Sequence, residues 1–240
     1  KTENTYSFLQ FNRDTMTEVA LIDHNGEGEA TANIQLCTAH WYGGNREQSC
    51  ENTVKSVKKL LGGIQIDGYY ELNMSEIPKL NNMVDGVTVT LEDDFSKKYP
   101  KMKKGATINL DDEQAYAYVH DRYGVGDEEN TSRMKRQQQY MTGFFKKLQE
   151  KVKANPNYAN EVFESLQDVS TTDITIGKIS NISNIFASGT AKGIFELAGK
   201  SKIGQALGDE IDHMEFYVNK KAMVSTMSEL FGIVEQKNKE

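Results

Sequence analysis

Residues 86–91, GVTVTL, alternate apolar and polar side chains without a break. That period marks a strand with one buried face, and its neighbours decide what it can join. TYSFLQFN (5–12) and EVALID (18–23) read as two strands joined through RDTMT, followed by a turn or loop in DHNGEGEAT. After GGNREQ, the residues Cys50, Val54, Val57 and Leu61 recur at helical spacing, and GGIQIDGYYELNM supplies a glycine stop and another strand. Ser75 is placed to cap EIPKLNNMV, with Pro78 in its first turn. Strands and helices in this order bury their apolar faces on one another. The expected class is therefore α/β, a mostly β-sheet core flanked by helices in an α/β/α sandwich.

Beyond the alternating strand, EDDFSKKYPKMKKGATIN (92–109) reads as a charged loop. Asp111 and Gln114 stand as N-cap and N3 ahead of the short helix AYAYVHDR, the pattern of a capping box. A polar loop, YGVGDEEN, leads into a long helix over 131–154, which NPNY breaks. The remainder reads as helices at 158–168, 171–186 and 189–199, a strand at 213–218 and a helix at 220–235. A chain of 240 residues, 38% of them hydrophobic, can bury a core. We expect one domain over 1–240, with the motif-bearing segments in 1–150 and C-terminal helices plus a strand in 151–240.

The formal net charge of -7 excludes indiscriminate nucleic-acid binding, which needs a broad field of Lys and Arg. An anion site must then be local, and NTSRMKRQQQY (130–140) is where cations gather. Arg133, Arg136 and Gln137 lie three and four residues apart, on one helix face near the N-terminus. Cations there oppose the helix dipole at a cost of some tenths of a kcal/mol, roughly. An anion would complete such a site, and guanidinium groups grip phosphate in two-pronged fashion. Arg122 and Asp127 sit just upstream. The alternative is that Arg133 and Arg136 pair with Asp127, Glu128 and Glu129 on a solvated face. Arg13 and Asp14, in FNRDTM, follow a strand directly, where ligands of α/β sheets bind.

Cys37 and Cys50 can be two buried thiols or a disulfide pinning a loop to the following helix, and we expect the bridge. His24, His40, His120 and His213 show no ligand spacing with the cysteines, so a zinc site is not expected. No apolar run approaches the roughly 20 residues that cross a bilayer. The first ten residues lack the apolar centre of a signal peptide. The chain opens in what reads as a strand already under way, so an upstream segment, with one or more strands, is expected.

Three segments resemble the LytR-CpsA-Psr family of bacterial cell envelopes: NRDT (12–15), GIQIDGYYELNMSEIPKLNNMVDGVTVTLEDDF (63–95) and DDEQAYAYVHDRYGVGDEENTSRMKRQQQY (111–140). The last is similar to the family's pattern of an Arg, an Asp several residues later, then R-x-x-R-Q. The resemblance implies a phosphotransferase that moves a glycopolymer, of teichoic acid or capsule type, from a polyprenyl pyrophosphate carrier to peptidoglycan. It implies the extracellular face of the membrane of a Gram-positive bacterium, with a membrane anchor upstream of residue 1 and no nucleic-acid partner. Arg13, Arg122, Arg133, Arg136 and Gln137 would grip the pyrophosphate, with Arg122 and Asp127 catalytic, Asp127 as base for the sugar hydroxyl or as orienter of the arginines. Asp14, His120 and Gln35 are further candidates.

An apolar tunnel for the lipid would draw on Ile77, Leu80, Met83, Met141, Phe144, Phe145 and Leu148. Magnesium, Mg2+, would balance the charge. The chain departs from the family in that nothing in 1–11 matches the acidic motifs that ligate this ion, so its ligands are expected upstream. His120 stands where the family usually has an arginine, and Gln35 and Cys37 where many members have Lys and Asn. Two other readings use the same pocket: a hydrolase of lipid pyrophosphates, and a non-catalytic polyprenyl-phosphate binder. The older reading of the family as transcriptional attenuators fits poorly with an acidic chain that has no basic recognition helix.

Overall fold

The computed structural model describes residues 4–28 and 30–232. The chain begins with β1 (Thr5–Gln10), β2 (Met16–Ala20) and β3 (Thr31–Gln35), a 3-10 turn at Leu36–Trp41, then α1 (Arg46–Leu60) and β4 (Tyr70–Leu72). Next come α2 (Ile77–Met83), β5 (Val87–Thr90), β6 (Thr107–Leu110), α3 (Asp112–His120), α4 (Asn130–Ala154) and α5 (Tyr158–Ser165). The last elements are β7 (Ser170–Thr172), α6 (Ile176–Ser188), β8 (Thr190–Glu196), β9 (Gly199–Gly204), β10 (His213–Val218) and α7 (Lys220–Phe231). This is the mixed α/β class that the alternation predicts. Among the described residues the strands pair two by two: β1 with β8, β2 with β3, β4 with β7, β5 with β6 and β9 with β10.

The chain divides into two compact units, each made of several segments. The first takes the chain up to Tyr6, then Leu72–Ser170 and Ile174–Ile194. Its core follows from the period of β5: Val87 and Val89 point inward while Thr88 and Thr90 face out. Opposite them β6 runs antiparallel, with Val87 against Leu110 and Val89 against Ile108. Tyr118 of α3 and Tyr140 and Phe144 of α4 close the same cluster. Gly143 lets α4 come close to β5, since a Cβ there would stand 2.6 Å from Val87 Cγ1. Ile77, Leu80, Met141, Phe145 and Leu148, expected to line a lipid tunnel, pack against this cluster, and Phe144 is part of it.

The second unit takes Ser7–Glu71, Thr171–Asp173 and the chain from Phe195 onward. In it β2 and β3 form one antiparallel ladder and β9 and β10 another, and a parallel bridge joins Thr15 to Phe216. Asn52 on α1 is fully buried and ties that helix to the carbonyls of Ala20 (2.9 Å) and Ala39 (3.0 Å).

The structure departs from the sequence reading in several places. β6 falls almost wholly in the stretch expected as a charged loop, β3 begins at the last residue of the expected turn or loop and runs on through residues with no expected element, and Asn73, not Ser75, caps the turn ahead of α2. The helix expected at 171–186 is instead the short strand β7 followed by α6. The helix expected at 189–199 is replaced by β8 and the start of β9, which find partners in β1 and β10. Strand partners far away in sequence outweigh a local helical spacing. α7 stops at Gly232, whose φ of 64° is a left-handed C-cap; the part of the predicted helix at 233–235 lies outside the described residues.

Candidate functional site

The junction between α3 and α4 answers why cations gather at 130–140. The capping box on α3 forms as expected, Asp111 accepting from Gln114 N–H at 2.8 Å and Gln114 accepting from Asp111 N–H at 3.2 Å. At the other end of α3 the last carbonyls have no helical donor ahead of them. The side chains of α4 supply the donors. Arg136 Nε donates to Tyr118 O (3.0 Å), its Nη2 to Asp121 O, and Gln137 Nε2 to Val119 O (3.0 Å). Arg136 Nη1 meets Asp93 Oδ2 at 2.5 Å, and its guanidinium lies over the Phe95 ring. A guanidinium opposed to the dipole of its own helix thus complements the C-terminal dipole of α3.

Arg136 is 1% exposed, and these contacts engage all three of its nitrogens. The expectation that it grips phosphate is therefore corrected: its anion is Asp93, together with two main-chain carbonyls. Gln137 is likewise turned to α3. The sequence does carry a signal for this. Arg136 lies in phase with Tyr140 and Phe144, all three buried on α4, and a buried arginine must find acceptors inside the protein.

Four other candidates in this unit, Arg122, Arg133, Asp127 and His120, are not buried. Arg122 lies over the Tyr123 ring, 4.5 Å from its centroid, and donates to the Tyr123 hydroxyl. Its Nε is buried and has no hydrogen-bond partner among the described residues, so donor capacity is left over. Arg133 donates to Asn130 Oδ1 at 2.7 Å. Asp127 accepts from Glu129 N–H (2.9 Å) and Ser132 Oγ (2.8 Å), and these bonds hold its carboxyl below the usual carboxylate range. It fixes the first turn of α4. His120 is exposed, stacks on Tyr116 and lies 3.1 Å from Asp121 Oδ1.

The remaining candidates belong to the second unit. Arg13 has a half-exposed side chain, with Nε 3.5 Å from Asp14 Oδ1 and Nη2 3.6 Å from Cys37 Sγ. Gln35 is buried and donates to Met214 O at 3.2 Å. Cys37 and Cys50 are both free thiols, which corrects the expected disulfide. Their sulfurs face different partners: Cys37 faces Arg13, while Cys50 Sγ lies 3.8 Å from His40 Nε2. Burial raises both thiol pKa values.

Magnesium favours oxygen ligands in octahedral array. Among the described residues, one group of potential metal ligands comes together, His40, Cys50 and Glu71, and its nitrogen and sulfur do not suit that ion. A cavity of about 500 Å³ in the first unit is lined by Asn81, Asp85, Asn109, Asp111, Asp112 and Glu113. Its carboxylates would repel phosphate. No helix among the described residues is long and apolar enough to cross a membrane.

The mixed α/β fold is the one that the resemblance of the three sequence segments implies. The chain belongs to the LytR_cpsA_psr family, which it matches over residues 1–231, well past the segments that first carried the likeness. No curated protein matches it in sequence. Among solved structures, TagT bound to LI-WTA is 20% identical with a TM-score of 0.67, over 95% of this chain and 78% of that one. TagV of B. subtilis is 20% identical with a TM-score of 0.68, over 96% of this chain and 85% of that one. A transcriptional regulator from Enterococcus faecalis is 18% identical with a TM-score of 0.71, over 97% of this chain and 79% of that one. At these identities the likeness is one of fold.

Proposed function

We propose that this protein is a phosphotransferase of cell wall assembly, moving a glycopolymer from a polyprenyl pyrophosphate carrier to peptidoglycan on the outer face of the membrane. The observation that carries the reading is family membership across residues 1–231. The LI-WTA and LIIa-WTA bound to TagT support a wall polymer as the substrate class.

In this reading an acceptor sugar hydroxyl attacks the phosphorus that bears the glycan. A new P–O bond to the acceptor forms as the P–O bond to polyprenyl phosphate breaks, and the hydroxyl proton leaves to solvent. Such a step asks the protein mainly to position groups and neutralise charge. Arg122, with its unused buried Nε–H, and Arg133, in the first turn of α4, are the guanidiniums assigned to the phosphates. Arg136 and Gln137 act as positioning residues by locking α4 to α3. Asp127 is a weak base because its hydrogen bonds favour the carboxylate, so its part is to hold the loop between the two arginines.

The test is transfer of a radiolabelled polyprenyl-pyrophosphate glycan to peptidoglycan. Loss of one transition-state donor costs about 10²-fold or more, so the Arg122→Ala, Arg133→Ala double variant should fall at least that far. Transfer at the wild-type rate by that variant would sink the assignment. Release of free glycan whether or not acceptor is present would mark a hydrolase instead.

A further inference from the structure

Three elements of the second unit that share no motif bring a nitrogen, a sulfur and a carboxylate to one point. His40 lies in the 3-10 turn at Leu36–Trp41, Cys50 in the second turn of α1, and Glu71 is the middle residue of β4. One ligand atom from each lies within 4.8 Å of the other two. Cys50 is 4% exposed, whereas the Glu71 side chain is 23% exposed. The group is closed behind the thiol and reachable at the carboxylate.

We propose that His40, Cys50 and Glu71 form a site for a single zinc-class divalent ion, with the fourth position left to water. The donor set selects the metal. Thiolate and imidazole suit zinc and its neighbours, and a carboxylate oxygen is its third common ligand. The spacing fits as well. Zinc bonds of about 2.3 Å to sulfur and about 2.0 Å to nitrogen put two tetrahedral ligands roughly 3.5 Å apart. His40 Nε2 and Cys50 Sγ stand 3.8 Å apart, so a shift of a few tenths of an ångström would close the pair on an ion.

The charge around Cys50 is mixed, with Glu71 negative and Arg46 positive. Glu47 and Glu51, on the same stretch of α1, place further negative charge near Cys50. Arg46 Nη2 binds Glu71 Oε2 at 2.5 Å, which orients the carboxylate and leaves Oε1 for the ion, as partners outside the ligand set commonly do. An ion here would tie the turn, α1 and β4 together. The site is independent of the arginines assigned to phosphate, and it uses Cys50 as a thiolate, which a disulfide would forbid.

Cobalt(II) is the probe, because it takes zinc sites and reports a thiolate ligand by a charge-transfer band in the near ultraviolet. The reduced, chelator-stripped protein should develop that band up to one ion per chain, and zinc should displace it. Cys50→Ser should abolish the band, while Cys37→Ser should keep it. His40→Gln and Glu71→Gln should each weaken zinc binding by at least the 10- to 100-fold, roughly, that loss of an outer partner costs. Circular dichroism checks that each variant folds. No band in folded wild-type protein would overturn the proposal, and this arm needs no variant. A band that survives Cys50→Ser, or zinc affinity unchanged in both other variants, would overturn it too.

Discussion

On the inner face of the α3–α4 junction, Arg136 is 1% exposed and gives its hydrogen bonds to Tyr118 O, Asp121 O and Asp93. On the outer face, Arg122 lies against an exposed tyrosine and keeps a buried Nε–H with no partner among the described residues. Both belong to one sequence pattern, and that pattern alone assigns both to phosphate. What separates them is the supply of acceptors. The C-terminus of α3 offers carbonyls that no helical N–H can reach, and Asp93 adds a carboxylate, so the arginine nearest to them is consumed inside the protein. The rim arginine meets an aromatic face and one hydroxyl, which leave donors over.

Removing the inner guanidinium tests this division most severely. Arg136→Ala strands Asp93 and unpairs two carbonyls, and breaking a buried ion pair on one side costs about 3 to 5 kcal/mol. Denaturant unfolding at 25 °C should show that loss, and Arg136→Lys should recover little of it because one ammonium cannot serve three divergent acceptors. Arg122→Ala should change stability far less, its loss falling on transfer. Equal destabilisation by the two alanine variants would erase the distinction between the faces.

Gly126 offers a finer probe of the same clamp. Its φ is 56°, and a Cβ there would stand 2.5 Å from Asp93 Oδ1. Gly126→Ala should therefore cost about 1 to 2 kcal/mol in backbone strain and also push the carboxylate away from Arg136. Because both changes act through Asp93, their effects should not add. A double-mutant cycle with Arg136→Ala should give a coupling of about 0.5 kcal/mol or more, and strict additivity would show that the loop and the arginine do not share Asp93.

Where the sequence speaks locally, it is legible here. GVTVTL becomes β5 because its period is its burial, and Asp111 and Gln114 cap α3 because a capping box needs only four residues. TINL fails as a signal: four residues beside a lysine-rich run become strand β6 only when Val87 and Val89 lie opposite. Thr190–Glu196 turns from predicted helix to strand for the same reason, its partner β1 lying near the other end of the chain. The site divides likewise. Spacing put Arg133 and Arg136 on one helix face but could not say which faces inward until the stripe through Tyr140 and Phe144 was followed. His40, Cys50 and Glu71 sit on a turn, a helix and a strand, so no motif could announce their meeting.

The smallest expected effect concerns Asp127 on the outer face and depends on pH. Hydrogen bonds from Glu129 N–H and Ser132 Oγ hold its folded pKa below the unfolded value, which is near 4 by reference to model peptides. A carboxyl depressed in this way adds stability that is fully present above the unfolded pKa and is lost as pH falls through the folded one. Amide protection at Ser132 and Arg133, taken relative to exchange from an unstructured chain at the same pH, should therefore fall on acidification below about pH 4 in wild-type protein. In Asp127→Asn the same amides should show less of that acid dependence, since the remaining acceptor does not titrate. The inner clamp gives the contrast, because two of the acceptors of Arg136, Tyr118 O and Asp121 O, are main-chain carbonyls, which do not titrate. If amides at Arg136 and Gln137 loosened in step with those at Ser132, and Asp127→Asn removed both responses together, the two faces would be one cooperative unit and Arg122 could not be altered without disturbing the clamp.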